Sequence, residues 1–301
     1  METSVQMDPT LRNRILATLR DEIPNLPRGL RTGAKYVIDH PSDFGLDPIR
    51  QTAKKAGVST YTLVRLAERL GFGGYDEMRE PFRQALVSAA VVVETPAWVQ
   101  RLREGGEIGS IQADASLNSM GIVQRTMELQ DAAQMQRVVG MLMGAPTVYL
   151  TAVRATYALA YYLHYVGRMA LPSLQLIPRH MNSPVDELHD ATPDDVLIAL
   201  TFTPYSRETI EACKLARRKG LKLIMISDSA IVAPDFSADE TLTASTLSPH
   251  HFGCYAGAMA LIEALIAQLV VAGGETARER IRSYETVRAE SQAYWSAQKK
   301  R

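Results

Sequence analysis

Cysteine is almost missing from this chain: its 301 residues hold two, Cys213 and Cys254. Two distant thiols on predicted helices make neither a disulfide framework nor a metal-ligand spacing, which favours a reducing compartment. Net charge is missing too, since 33 basic and 33 acidic side chains cancel. No whole-chain field draws the molecule to nucleic acid, so any basic face has to be local. Long apolar runs are absent. The greasiest stretch, AMALIEALIAQLVVAGG, is interrupted by Glu263 and Gln268, which makes it a buried helix rather than a membrane span. The polar opening METSVQMDPTLRNR carries no apolar signal segment, so a soluble cytoplasmic protein without a membrane partner is expected. The histidines and cysteines supply no three convergent ligands, so neither a metal nor a cofactor is expected.

What is present is ordinary globular material, 46% hydrophobic and 22% charged, in a length that favours two domains. From Pro9 to about Leu86 apolar residues recur at three- and four-residue intervals, with turns at PNLPRG, HPSDFGLDP and GFGGYD. The pattern stays helical to Gly144. After Pro146 the grammar changes to short apolar runs, TVYLTAV, LQLI, VLIAL and LKLIMIS, separated by helix-length segments. Such alternation implies right-handed crossovers and a parallel sheet covered on both faces. The expected organisation is a helical domain over 1–90, helical connections over 91–144 and an α/β domain over 145–301.

Within the first part, LDPIRQTAKKAGVSTYTLVRLAERLGF has the layout of a helix-turn-helix. Ile49, Ala53 and Ala56 mark the buried face of a first helix, and Gly57 suits the tight turn. Ser59 is placed to cap a second helix that buries Leu63, Leu66 and Leu70 and ends at Gly71. Thr60, Tyr61, Thr62 and Arg65 lead its exposed face, and such side chains reach base edges in a major groove. Arg50, Lys54, Lys55, Arg65 and Arg69 against one acid, Glu68, supply the local charge that phosphates would meet. Spacing alone fits equally well a helical hairpin with solvated basic residues.

The wider segment AKYVIDHPSDFGLDPIRQTAKKAGVSTYTLVRLAERLGFGGYDEMREPF resembles the N-terminal domain of the RpiR/MurR family of bacterial transcription regulators. Ser59, Arg65, Leu70, Gly71, Phe72, Gly74 and Tyr75 fall in register with that family's pattern, including its closing LGF-x-G-[YF]. The resemblance implies operator DNA as a partner, with Arg50, Lys54, Ser59, Thr60, Tyr61, Thr62, Arg65 and Arg69 as contacts. Tyr61 and Thr62 stand at its variable positions, where operator preference is encoded.

In an open parallel sheet, ligands bind beyond the carboxyl ends of strands. Two exits here are polar: Arg154-Ala155-Thr156 after TVYLTAV, and TFTPYSRE after VLIAL. Hydroxyls at a helix N-terminus make an anion cradle. Read alone, Ser206 is simply an N-cap and Arg154 a salt-bridging residue at a helix start.

The order of these exits, followed by the stretch LKLIMISDS, is similar to the sugar isomerase (SIS) domain that follows the helix-turn-helix in RpiR regulators. That resemblance implies an αβα sandwich binding phosphorylated sugars, with Thr156, Thr201, Thr203 and Ser206 holding the phosphate. Two departures stand out. Ala152 and Arg154 replace glycines common at the first exit, and Pro204 replaces a glycine at the other, removing one N–H from the cradle. Arg154 instead offers a permanently charged fork for phosphate or carboxylate. A sugar phosphate or an acidic sugar metabolite is the expected effector, with His250 and His251 as further candidates to line the pocket.

Catalysis would need a proton-moving group. Glu187, His189, His250 and His251 are the candidates, and a sugar-phosphate isomerase with an accessory helical domain is the rival reading. The favoured expectation is a non-enzymatic, ligand-responsive regulator, repressing carbohydrate catabolism or transport genes as a homodimer or tetramer on two-fold operators.

Overall fold

The computed structural model describes residues 11–89, 96–180, 182–233, 236–246 and 252–295. The chain divides into two compact units, one ending at Gly106 and the other running from Glu107 onward. The boundary thus falls inside the stretch read from sequence as connecting helices.

The first unit is all helical: α1 (Leu11–Glu22), α2 (Arg28–Asp39), α3 (Pro41–Leu46), α4 (Ile49–Ala56), α5 (Thr60–Arg69), α6 (Tyr75–Ala89) and α7 (Ala97–Arg103). Helix α2 buries Leu30, Ala34, Val37 and Ile38 on one stripe, and α5 buries Leu63, Leu66 and Ala67. That 3.6-residue spacing is why the two helices lie face to face. Phe44 of α3 meets the rings of Tyr75 and Phe82 edge-on, at 5.2 and 4.9 Å between centroids. Edge-to-face packing matches the positive rim of one ring to the negative face of the next.

Helix α4 is anchored differently from its sequence reading. Ile49 and Ala56 are only half-buried, whereas Thr52 is fully buried beside Ala53. The Thr52 hydroxyl lies 2.5 Å from the Tyr75 hydroxyl, which itself donates to the Asp47 carbonyl at 2.9 Å. Since a phenol has one proton to give, Thr52 is the donor of this pair. The amphipathic period was right, but a hydroxyl rather than two more apolar residues fills the face. Leu70 is likewise half-buried, just past the end of α5.

The second unit begins with α8 (Gly106–Glu128) and α9 (Ala132–Gly144). Then come β1 (Val148–Thr151), α10 (Tyr157–Gly167), β2 (Leu174–Ile177), α11 (Pro184–Glu187), β3 (Val196–Leu200), α12 (Arg207–Lys219), β4 (Lys222–Ser227), β5 (Glu240–Thr243), α13 (Ala256–Ala272) and α14 (Gly274–Glu290). The five strands are all parallel in the order β2-β1-β3-β4-β5. The expected parallel α/β sandwich is therefore what the chain forms.

Strand alternation splits the core in two. Val148, Leu150, Val196, Ile198 and Leu200 join α9, α10 and α13 on one face, while Tyr149, Leu197 and Ala199 join α12 on the other. Helix α13 carries the greasiest stretch and buries Leu261, Ile262, Leu265, Ile266 and Leu269. Among the described residues no single helix is long and apolar enough to cross a membrane. Cys254 lies just before α13 rather than on a helix.

The fifth strand was not anticipated. In ETLT only Leu242 is buried, so this edge strand lacks the apolar run that marks its neighbours. It is held from the side: Gln134 and Arg137 of α9 hydrogen-bond Glu240, and Gln130 donates to the Thr243 carbonyl at 2.9 Å. Helix α8 approaches α13 so closely that a Cβ on Gly257 would lie 2.1 Å from the Thr126 hydroxyl. Helices α8 and α9 are thereby integral to the sheet unit.

Candidate functional sites

The helix-turn-helix is built as its residues require. Helix α4 ends at Gly57, whose φ of 66° is the left-handed conformation that a residue without Cβ adopts at no steric cost. Ser59 then caps α5, its hydroxyl oxygen accepting from the Thr62 amide at 3.1 Å and lying 2.8 Å from the Thr62 hydroxyl. Ser59 and Thr62 thus engage each other. Thr60, Tyr61 and Arg65 point outward, with Tyr61 68% exposed.

The five basic residues separate into two groups. Lys55 bridges Asp43 and Asp47, at 2.8 Å each, and is pushed above its ordinary pKa by those carboxylates. Arg69 forks onto Glu22 of α1 at 2.9 and 3.2 Å. Both therefore brace the unit, with Arg69 still 43% exposed. Arg50, Lys54 and Arg65 are exposed on α4 and α5, and none has an ion-pair partner among the described residues.

In the second unit the sheet order reverses direction between β1 and β3: β1 leads outward to β2 on one side, and β3 leads to β4 and β5 on the other. The crevice outside the carboxyl ends of β1 and β3 is thus the topological switch point, where open α/β sheets take their ligands. Both polar exits picked out from sequence open there.

At the first exit Arg154 has φ 56°. A left-handed non-glycine residue costs roughly 1–2 kcal/mol, so this backbone keeps the shape of a glycine position. What the arginine gains is contact. Its guanidinium reaches the other exit, donating to Glu208 Oε2 at 2.9 Å, Glu208 Oε1 at 3.1 Å and Ser206 Oγ at 3.1 Å. Ser206 caps α12 and donates its own proton to Glu208 at 2.7 Å. Arg154 and Ser206 together hold the Glu208 carboxyl down to about 2. With Arg154 67% and Glu208 49% exposed, the pair is solvent-screened and contributes little to stability.

The remaining predicted hydroxyls are turned to the backbone or outward. Buried Thr156 donates to the Val153 carbonyl at 2.7 Å, and buried Thr201 accepts from the Ser206 amide at 3.1 Å. Thr203 is exposed, with its amide tied to Asp228 of the β4 exit at 3.1 Å. His250 and His251 lie outside the described residues. Two groups escaped the sequence reading. Glu208 looks like any acid in a helix's first turn, and Asp228 sits inside the quoted ISDS without a signal of its own. Beneath the crevice, the Thr151 and Thr209 hydroxyls are fully buried and lack a hydrogen-bond partner among the described residues.

Two of the acid–base candidates, Glu187 and His189, sit elsewhere. The Glu187 side chain is 4% exposed and clamped by Arg179, through the backbone amide at 2.5 Å and Nε at 2.7 Å, at the exit of the edge strand β2. His189 is 87% exposed. A cavity of about 590 Å³ at that exit is lined by Arg179, His180, Asn182, Asp186, Glu187 and Asp190. Three carboxylates against one already paired arginine make it unsuited to an anion.

Residues 141–273 match the SIS domain family. The HTH-type transcriptional regulator YfhH of Escherichia coli (strain K12) is 24% identical, covering 90% of this chain and 97% of that protein. YbbH of Bacillus subtilis (strain 168), another HTH-type transcriptional regulator, is 22% identical over 75% of this chain and 78% of its own. Among solved structures, the sugar isomerase domain of an RpiR transcription factor from Sphaerobacter thermophilus superposes with a TM-score of 0.55 at 20% identity, covering 58% of this chain and 98% of that one. The Vibrio vulnificus NanR protein complexed with ManNAc-6P gives 0.55 at 19% identity, covering 93% and 100%. At such identities the structural likeness speaks for the fold. The SIS match thus lies within the second unit, and over 90% of its length the chain is similar to an HTH-type transcriptional regulator.

Proposed function

We propose that the chain is a cytoplasmic transcriptional repressor of carbohydrate catabolism or transport genes, released or recruited by an anionic sugar metabolite that binds its SIS domain. One observation carries the ligand half of this reading: Arg154 and Ser206, from different strand exits, converge at the β1/β3 switch point. An arginine fork beside a capped helix N-terminus is suited to a phosphate or carboxylate. The NanR structure, a protein of the same fold, was solved with a sugar phosphate, which supports that ligand class. Thr156, Thr201 and Thr203 line the two exits and complete the proposed cradle, with His250 and His251 as further members.

For DNA, Arg50, Lys54 and Arg65 meet phosphates and base edges, while Thr60, Tyr61 and Thr62 tune sequence preference. Ser59 presents its helix rather than reading bases, and Arg69 steadies it. A homodimer, or a pair of dimers, matches a two-fold operator. A regulator is favoured over an isomerase because Glu187 is clamped by Arg179 and His189 stands exposed at another exit.

The test is fluorescence anisotropy of the full chain on its upstream intergenic DNA, with and without a panel of sugar phosphates and sugar acids. Arg65→Ala removes DNA binding, and Arg154→Ala spares DNA binding while blunting the ligand response. An Arg154→Ala protein with an unchanged effector dissociation constant would remove the crevice from consideration.

A further inference from the structure

The two groups through which the strand exits meet, Arg154 and Ser206, are both engaged by one side chain. Glu208 accepts both guanidinium nitrogens of Arg154 and the proton of Ser206, at 2.9, 3.1 and 2.7 Å. Its carboxylate sits in the first turn of α12, where the helix dipole favours negative charge. A carboxylate held by an arginine fork, a serine hydroxyl and a helix N-terminus has the partners an incoming phosphate would seek.

We propose that Glu208 is an internal occupant of the anion site, a latch that an anionic effector must displace from Arg154 and Ser206, and that it makes the crevice select charged over neutral sugars. The proposal rests on the reading of the crevice as an effector site. The exchange is feasible because both partners are largely in water, Arg154 at 67% and Glu208 at 49% exposure. Screened pairs of this kind contribute little, so giving one up costs little. The displaced carboxylate turns to solvent without leaving a buried charge behind. A neutral sugar brings no charge to compensate Arg154 and leaves the latch closed, whereas a phosphate replaces one bidentate partner with another. Displacing the latch also unties Ser206, the cap of α12, beside the Thr151 and Thr209 hydroxyls, which have no partner among the described residues. Ligand charge is thereby linked to the helix start.

Titration calorimetry of the full chain with inorganic phosphate tests this in four proteins: wild type, Glu208→Gln, Arg154→Ala and the double variant. Removing the competing charge in Glu208→Gln tightens phosphate binding by about 3- to 10-fold. Arg154→Ala weakens it, and in that background Glu208→Gln regains only a small part. Circular dichroism of each variant confirms that α12 is formed, and Glu208→Asp, too short to reach the fork, falls between wild type and Glu208→Gln. If Glu208→Gln binds phosphate no tighter while Arg154→Ala binds it more weakly, the latch is wrong and the anion site stands. Absence of phosphate binding in all four proteins overturns both.

Discussion

Arg154 and Glu208 stand 54 residues apart in the chain yet join two strand exits through hydrogen bonds of 2.9 and 3.1 Å. The arginine occupies a left-handed backbone position of the kind glycine favours, and the acid occupies the first turn of the facing helix. The two exits are thereby clasped together by side chains.

The clasp predicts a titration. Glu208 is held down to about 2 by Arg154 and Ser206. Its folded value lies below its unfolded one, so its contribution to stability is complete above the ordinary carboxylate range. That contribution is lost as pH falls from there through about 2. Carboxyl-detected NMR should show Glu208 still ionised at about pH 4 in the wild type, and its midpoint moved up towards the ordinary range of about 4.3 in Arg154→Ala, where Ser206 still donates. An unchanged titration midpoint in Arg154→Ala would contradict the pairing.

The two classes of basic residue on α4 and α5 predict opposite phenotypes. Arg65→Ala, on an exposed side chain without an ion-pair partner among the described residues, changes stability by no more than about 0.5 kcal/mol. It nonetheless removes operator binding and reduces the salt dependence of any residual binding by about one unit of slope. Arg69→Ala breaks the bridge to Glu22 instead, at a cost of about 0.2–1 kcal/mol, and affects DNA affinity less. Thermal melts paired with anisotropy at several salt concentrations separate them.

The buried Thr52–Tyr75 pair predicts a cost that the sequence pattern conceals. Thr52→Val conserves volume but strands the Tyr75 oxygen without its donor, destabilising the first unit by about 1–3 kcal/mol. Tyr75→Phe alone also loses the bond to Asp47. Chemical denaturation of the single and double variants should therefore show non-additivity of at least about 0.5 kcal/mol. Strict additivity would mean that the hydroxyls do not interact.

Gly257 reports on the approach of α8 to α13. Gly257→Ala puts a methyl 2.1 Å from the Thr126 hydroxyl and 2.9 Å from Ile122, so one helix must shift. Overpacking of this kind costs about 1–3 kcal/mol, and Thr126→Ala should restore part of it. A Gly257→Ala protein as stable as wild type would show that the helices yield freely.

Much of this was legible in the chain as written. Helix and strand periods follow from which residues must be hidden, so the change of grammar after Pro146 located the sheet. Gly57 and Ser59 marked the helix-turn-helix because a left-handed turn and an N-cap each accept few residue types. The edge strand β5 was hidden, because a strand with one buried residue has no apolar period to read. The sequence by itself determined the elements, their order and the two polar exits, since those depend on neighbours a few residues away. Only the tertiary structure decided that Arg69 serves Glu22, that Thr52 serves Tyr75 and that Arg154 is already clasped by Glu208. Each is a pairing between residues distant along the chain, and charge and hydroxyl groups carry no periodicity that names their partner. Folding alone brings them within hydrogen-bond reach.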